Sequence, residues 1–148
     1  MDDMEARVGE LEDLASIRRL KADYCFYADV WDGDDDRGRK FAELFTQDGT
    51  YILGDTHICT GRDQIEALLM ELPGRMNLRI GLHLALNPRI DLAGDMATGT
   101  WHFLIPVLAG DDAGPRWNCG MYFEQYRRVD GRWLFQQVIV KSAIAPSP

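Results

Sequence analysis

Two residues of this chain, Asp29 and His83, could together remove a proton from a substrate. Asp29 ends an amphipathic stretch whose apolar residues repeat at steps of three and four, which is typical of one helical face. It falls on the flank of that face, where a half-buried carboxylate requires a partner. His83 stands between Leu82 and Leu84, and a histidine that faces an enclosed apolar space can act as a base near neutral pH. An Asp bonded to one ring nitrogen would hold the ring and stabilise the imidazolium.

Aromatic residues near these two supply further candidates. Tyr24 lies five residues before Asp29, about 140° around an ideal helix, so the two side chains could border one pocket without touching. Trp101 and Phe103 alternate along a predicted strand, and their rings fit either core packing or pocket lining. His102 stands between them and is therefore expected on the back of the sheet.

The first half of the chain is predicted to be mostly helical. Residues 9–31 form the first predicted helix, and a short second helix carries Phe41, Leu44 and Phe45. The next predicted elements are a turn at 46–49, a strand at 50–53, and a third helix that begins at 60–63 and ends at Pro73-Gly74.

The second half changes to strands joined by short connections, which indicates an antiparallel meander. The predicted strands are 79–92, 96–108, 116–129 and 133–145. Helices followed by long strands predict an α+β fold, in which a curved antiparallel (mixed) sheet wraps around about three N-terminal helices. One sheet face would then line a conical pocket.

The chain is expected to be a single domain over 1–148, with loose ends at about 1–8 and 145–148. Three short helices cannot cover both faces of so long a sheet. A homodimer formed through the outer sheet face is therefore expected.

Composition narrows the classes of partner. The net charge of −8 argues against nucleic acid and against an anionic membrane surface. No signal peptide and no membrane-spanning run is visible, and three widely spaced cysteines suit reduced thiols, so a cytoplasmic location is expected.

No cofactor and no metal are expected. The chain has no Gly-rich phosphate loop, and its histidines, His57, His83 and His102, show no close ligand spacing.

Five stretches resemble the SnoaL-like branch of the nuclear transport factor 2-like superfamily, whose members have a cystatin-like fold. This branch includes scytalone dehydratase, bile-acid 7α-dehydratase and hexachlorocyclohexane dehydrochlorinase. The matching stretches run from the first helix to the last strand, at 17–29, 44–51, 60–65, 82–87 and 126–133. Each pattern is loose, but their order and spacing are fairly specific for the fold and much less so for the reaction.

The resemblance implies roles for individual residues. In these lyases a first-helix Asp and a strand His form the catalytic pair, and Asp29 and His83 stand at the matching positions. Tyr24 matches a tyrosine five residues before the family's Asp, and Tyr51 matches a strand tyrosine that polarises a carbonyl. The candidate substrate-binding residues are Tyr51, Trp101, Phe103 and Asn118.

The resemblance therefore implies a cofactor-independent lyase or isomerase that acts on a small, mostly apolar cyclic substrate. The chain has no clear equivalent of the further acidic residue or second histidine that some members use, which leaves the reaction open. Two alternatives remain: a non-catalytic module that binds a small ligand or another protein, and a small subunit of an aromatic-ring dioxygenase.

Overall fold

The computed structural model describes residues 3–31, 33, 35–111 and 114–145. Within these ranges the elements are α1 Asp3–Ala28, α2 Arg37–Ala42, β1 Phe45–Leu53, β2 His57–Thr60, α3 Arg62–Arg75, β3 Leu78–Gly81, β4 Leu84–Ala93, β5 Met96–Ala109, β6 Arg116–Val129 and β7 Arg132–Ile144. No helix in this described part is both long enough and apolar enough to cross a bilayer.

The seven described strands form one mixed sheet that curves around the helices. Their order is β2-β1-β7-β6-β5-β3, with β4 also beside β5. β1 runs parallel to β7, and the other pairs are antiparallel. The β6–β7 turn, Asp130-Gly131, has φ angles of 49° and 76°, the left-handed geometry that favours an Asp-Gly hairpin. The predicted α+β fold with a curved, largely antiparallel sheet is confirmed.

The core lies between α1 and the concave face of the sheet. The buried residues of α1 follow a helical period, and those of β5 alternate, as burial on one face requires. They are Ile17, Leu20, Lys21, Tyr24 and Ala28 on α1, and Ala97, Trp101, Phe103, Ile105, Val107 and Ala109 on β5. The expected placement of His102 is confirmed, because it is exposed on the convex face.

A buried ion pair joins α1 to β6. Lys21 Nζ lies 2.5 Å from Glu124 Oε1, and both side chains are almost fully buried. The other carboxylate oxygen accepts a hydrogen bond from Tyr126, whose hydroxyl accepts one from Trp101 Nε1 at 2.9 Å. Burial lowers the pKa of Lys21, and the Glu124 carboxylate opposes that shift. Helix and sheet are therefore locked together by a network whose polar groups satisfy one another.

The first helix differs from its predicted bounds at both ends. It begins at Asp3, so the part of the expected loose end that the structure describes is helical, whereas residues 1–2 and 146–148 lie outside the described ranges. It ends at Ala28, three residues early, because the chain then turns to pair with β3. Trp31, predicted to continue the buried stripe, is consequently 66% exposed.

The segment after α2 is also reassigned. β1 begins at Phe45 and includes the predicted turn 46–49. Its pairing with β7 shifts register between Phe45 and Thr50, so residues 46–49 form an irregular part of the strand and not a separate turn. Phe45 therefore belongs to the sheet and not to the second helix, and Leu44 lies between the two elements. The short strand β2 was not predicted.

Pro73 does not end α3, which continues to Arg75. A proline inside a helix lacks the N–H that would bond to the carbonyl four residues earlier. Here that carbonyl belongs to Leu69, and it accepts a hydrogen bond from Arg37 Nη2 at 3.3 Å. The guanidinium on the neighbouring helix thus compensates for the missing bond, a contact that no local pattern indicates.

We expect the buried ion pair to dominate the stability of this packing. Lys21→Met leaves Glu124 without its partner and should lower the free energy of unfolding by about 3 to 5 kcal/mol. Arg19→Met is the matched control: Arg19 forms an exposed pair with Asp23 on the same helix, so its loss should cost under about 1 kcal/mol. Urea unfolding measures both, and equal losses would contradict this account.

The convex face of the sheet, which we call the outer face, carries many exposed apolar side chains. They are Leu84 and Leu86 on β4 and Trp117 and Phe123 on β6. Several exposed apolar side chains on one sheet face are typical of an interaction site. We propose that a second copy of the chain covers it.

Light scattering at micromolar protein should therefore show a dimer, and Phe123→Glu should convert it to single chains by burying a charge at the interface. Leu11→Glu, at an exposed apolar position of α1, is the control and should leave the dimer intact. Scattering from single chains alone in the unmodified protein would contradict the proposal.

Candidate functional site

Asp29 and His83 are brought together by backbone contacts. After α1, Val30 forms a two-bond antiparallel bridge with Gly81, and both N–H···O distances are 2.8 Å. His83 lies two residues beyond Gly81, in a gap between β3 and β4. The predicted unbroken strand 79–92 is therefore wrong: at His83 the backbone leaves the ladder and its N–H donates to Asp29.

The Asp29 carboxylate binds both parts of His83. Its Oδ1 accepts the His83 backbone N–H at 2.6 Å and lies 3.2 Å from ring Nδ1. Each side chain is 19% exposed, so the pair is partly desolvated but not sealed. A proton on Nδ1 directed at the carboxylate leaves Nε2 with a free lone pair, the tautomer that a general base requires.

Two hollows meet at His83. The outer pocket, of about 450 Å³, is lined by Arg18, Lys21, Ala22, Cys25, Phe26, Asp29, His83, Ala85 and Trp101. The inner cavity, of about 240 Å³, is lined mostly by aliphatic residues from α3 and the sheet, including Leu53, Leu69, Leu72, Leu78, Ile105, Val107 and Val140. Its polar lining consists of Tyr24, Arg37, Tyr51, His83, Asn118 and Tyr122. His83 is thus in the wall between an open, charged pocket and a largely apolar cavity.

The predicted site residues divide between these hollows. Tyr24 lines the inner cavity and Asp29 the outer pocket, so they lie on either side of His83. Trp101 lines the outer pocket. Phe103 lies in the core behind the cavity wall, where its ring centroid is 4.8 Å from that of Tyr122.

The hydroxyls of Tyr24 and Tyr51 are 3.2 Å apart in the inner cavity. Burial raises the pKa of Tyr51 to about 12 and that of Tyr24 well above its ordinary value. Both phenols therefore keep their protons near neutral pH. One of the two phenol protons forms the hydrogen bond between Tyr24 and Tyr51, so the other phenol proton can be donated to an oxygen atom in the cavity.

Asn118 Oδ1 and the Tyr122 hydroxyl are buried at the inner cavity and have no hydrogen-bond partner among the described residues. Asn118 was a predicted contact, whereas Tyr122 was missed. The alternation of β6 could have identified it, because residues 118, 120 and 122 share the concave face.

The three histidines are far from forming a cluster. His57 lies at the surface, with Thr56 Oγ1 2.8 Å from its Nδ1 and Arg75 Nη1 3.4 Å from its Nε2. His102 is on the outer face. In the described part of the chain, no three His, Cys, Asp or Glu side chains are gathered as metal ligands.

Comparison with known proteins assigns the family. The SnoaL-like domain matches residues 9–139, most of the chain. The chain belongs to the SnoaL-like family. Among curated proteins, none matches this SnoaL-like chain.

Solved structures show the same fold. A candidate scytalone dehydratase from Novosphingobium aromaticivorans is 22% identical, with a TM-score of 0.78 over 91% of this chain and 87% of that one. A type 2 hexachlorocyclohexane dehydrochlorinase, LinA, is 17% identical, with a TM-score of 0.82 over 93% and 90%. An NTF2-like protein with a cystatin-like fold, also from N. aromaticivorans, is 24% identical, with a TM-score of 0.73 over 94% and 89%. The predicted membership of the SnoaL-like, nuclear transport factor 2-like superfamily is confirmed.

Cys25 lines the outer pocket beside the pair but is unsuited to nucleophilic chemistry. Burial raises the pKa of its thiol to about 11, so about one molecule in 10⁴ carries the thiolate at pH 7.

We expect iodoacetamide to alkylate Cys25 far more slowly than N-acetylcysteine at pH 7, with a rate that rises about tenfold per pH unit up to pH 10. Peptide mass spectrometry measures this rate. A rate that levels off near pH 8 would show an activated thiol instead.

Proposed function

We propose that this SnoaL-like protein is a cofactor-independent lyase or isomerase whose base is His83. One observation carries the proposal: a histidine held by a carboxylate stands in the wall of an apolar cavity. Such a cavity fits a small, mostly apolar cyclic substrate, and its low polarity strengthens every electrostatic interaction inside it.

The proposed reaction begins with removal of a proton from a carbon atom of the substrate. His83 Nε2 takes the proton, and Asp29 stabilises the resulting imidazolium through Nδ1. The electron pair of the broken C–H bond moves toward an adjacent carbonyl oxygen, which accepts a hydrogen bond from the Tyr24–Tyr51 pair. Elimination follows when these electrons form a C=C bond and expel a leaving group from the next carbon. Isomerisation follows when the proton returns to another carbon.

The structural relatives support the elimination branch. Two of them are, by name, a candidate dehydratase and a dehydrochlorinase, and both names denote loss of a group from adjacent carbons. Since each is less than 25% identical to this chain, the shared fold alone does not carry the reaction across. The His83–Asp29 geometry supplies the chemical argument.

A second function, binding of a small ligand without turnover, is favoured by the inner cavity itself. Its lining is mainly aliphatic, and a buried amide oxygen and a buried phenol face it without a hydrogen-bond partner in the described part of the chain. A binding module would need this cavity but not the base. The two functions therefore differ in whether proton transfer depends on His83.

We expect the protein to catalyse exchange of the α-hydrogens of 1-tetralone, a bicyclic ketone, in D₂O. His83→Ala should slow this exchange by about 10²- to 10⁴-fold, the usual contribution of a positioned base. Asp29→Asn should keep the fold and slow exchange to a smaller extent, because it supports the wrong tautomer. Mass spectrometry of the recovered ketone measures the rate.

His102→Ala is the matched control, because that histidine is exposed on the outer face, away from both hollows. It should leave exchange within a few-fold of the unmodified protein. Exchange that is equally fast in the unmodified protein and in His83→Ala would contradict the lyase or isomerase proposal. Binding of a small ligand without turnover would then be the better account of the cavity.

A further inference from the structure

The Tyr122 side chain combines complete burial with an unsatisfied hydroxyl. It lies on the concave face of β6, is 1% exposed and lines the inner cavity. Its hydroxyl has no hydrogen-bond partner among the described residues. The Tyr24 phenol lies near enough to lower the pKa of Tyr122 as a weak hydrogen-bond donor, yet no contact of the Tyr122 hydroxyl with the described residues has full hydrogen-bond geometry.

The ring of Tyr122 is held on several sides. Lys21 Nζ lies 3.3 Å from its centroid, the Phe103 ring packs at 4.8 Å, and the Tyr24 ring meets it edge-on at 5.4 Å. Lys21 is itself held by Glu124, so contacts on several sides restrict where the Tyr122 side chain can lie. The hydroxyl is therefore presented to the cavity at a fixed position.

Tyr126, four residues further along the same face of β6, shows the usual arrangement. It is equally buried, but its hydroxyl accepts from Trp101 and donates to Glu124. Buried polar groups are nearly always paired in this way, because leaving one unpaired is costly. The contrast between two tyrosines on one strand indicates that the partner of Tyr122 comes from outside the protein.

We propose that Tyr122 donates a hydrogen bond to an oxygen atom of the ligand, so that the inner cavity selects oxygen-bearing cyclic compounds over hydrocarbons of the same shape. Burial raises the pKa of Tyr122 well above its ordinary value, so the phenol keeps its proton and acts as a donor. The inference rests on the proposed function to the extent that both place the ligand in the same cavity.

The test uses two probes with one carbon skeleton, 1-tetralone and tetralin, which differ by a carbonyl oxygen. Their dissociation constants are measured by NMR titration for the unmodified protein, Tyr122→Phe and Tyr126→Phe. We expect Tyr122→Phe to weaken tetralone binding by about 5- to 10-fold, the effect of one hydrogen bond, and to leave tetralin within about twofold. Equal losses for both probes, no loss for either, or failure of both to bind would overturn the inference.

Stability gives a second, independent comparison. Tyr122→Phe should keep or raise the urea midpoint, because it removes an unsatisfied hydroxyl, whereas Tyr126→Phe should lower it by breaking two bonds. A clear fall for Tyr122→Phe would reveal a hidden structural partner and overturn the inference.

Should that variant fail to fold, a crystal of the unmodified protein soaked with tetralone decides the question. The carbonyl oxygen is expected within about 3.2 Å of the Tyr122 hydroxyl, and any other pose refutes the inference.

The two proposals fail separately. If tetralone binds and exchanges its α-hydrogens through His83 while Tyr122→Phe changes neither affinity, the inference is wrong and the lyase proposal stands. If the loss of affinity in Tyr122→Phe is specific to tetralone but exchange is independent of His83, the oxygen preference stands and the lyase proposal is wrong.

Discussion

A charge pair enclosed between helix and sheet determines where α1 lies. Lys21 and Glu124 are almost completely buried, and separating them would leave a charge among aromatic rings. The pair therefore restricts both the depth and the rotation of α1. Asp29, about two turns further along the chain, takes its position from that restriction. The Lys21–Glu124 contact thus contributes both to the packing of α1 and, together with the Val30–Gly81 bridge, to the position of Asp29.

The candidate site combines two environments that the proposed base, His83, would need for different reasons. On the open side, Asp29 holds the ring of His83 and can stabilise its charged form. On the inner side, a mostly aliphatic cavity presents a few phenols, one amide and the Arg37 guanidinium. Because His83 belongs to both, its proton-accepting nitrogen can meet an apolar ligand while its other nitrogen stays in contact with a carboxylate. Neither hollow alone would give this combination.

Sequence patterns were sufficient for strand alternation and for the last hairpin turn. Alternation placed Trp101 inward and His102 outward, and Asp-Gly marked the β6–β7 turn. They failed where a distant partner decides the outcome. Pro73 remains inside a helix because Arg37 binds the carbonyl of Leu69 that the proline leaves unbonded. Lys21 can be buried because it pairs with Glu124, which is 103 residues away in the sequence. The break at His83 and the parallel pairing of the first and last long strands are likewise products of tertiary contacts. The orphan hydroxyl in the cavity can be recognised only once every neighbour is known.

The bridge between Val30 and Gly81 has a consequence for how such a protein can diversify. It is made of main-chain atoms, and one of the two contacts between Asp29 and His83 uses the main-chain N–H of His83. Side chains elsewhere in the cavity can therefore be exchanged while the bridge that positions Asp29 and His83 stays in place. In this arrangement the position of Asp29 and His83 is set by the backbone, whereas the shape of the cavity is set by side chains. A related protein could therefore accept a different ligand by changing the lining side chains.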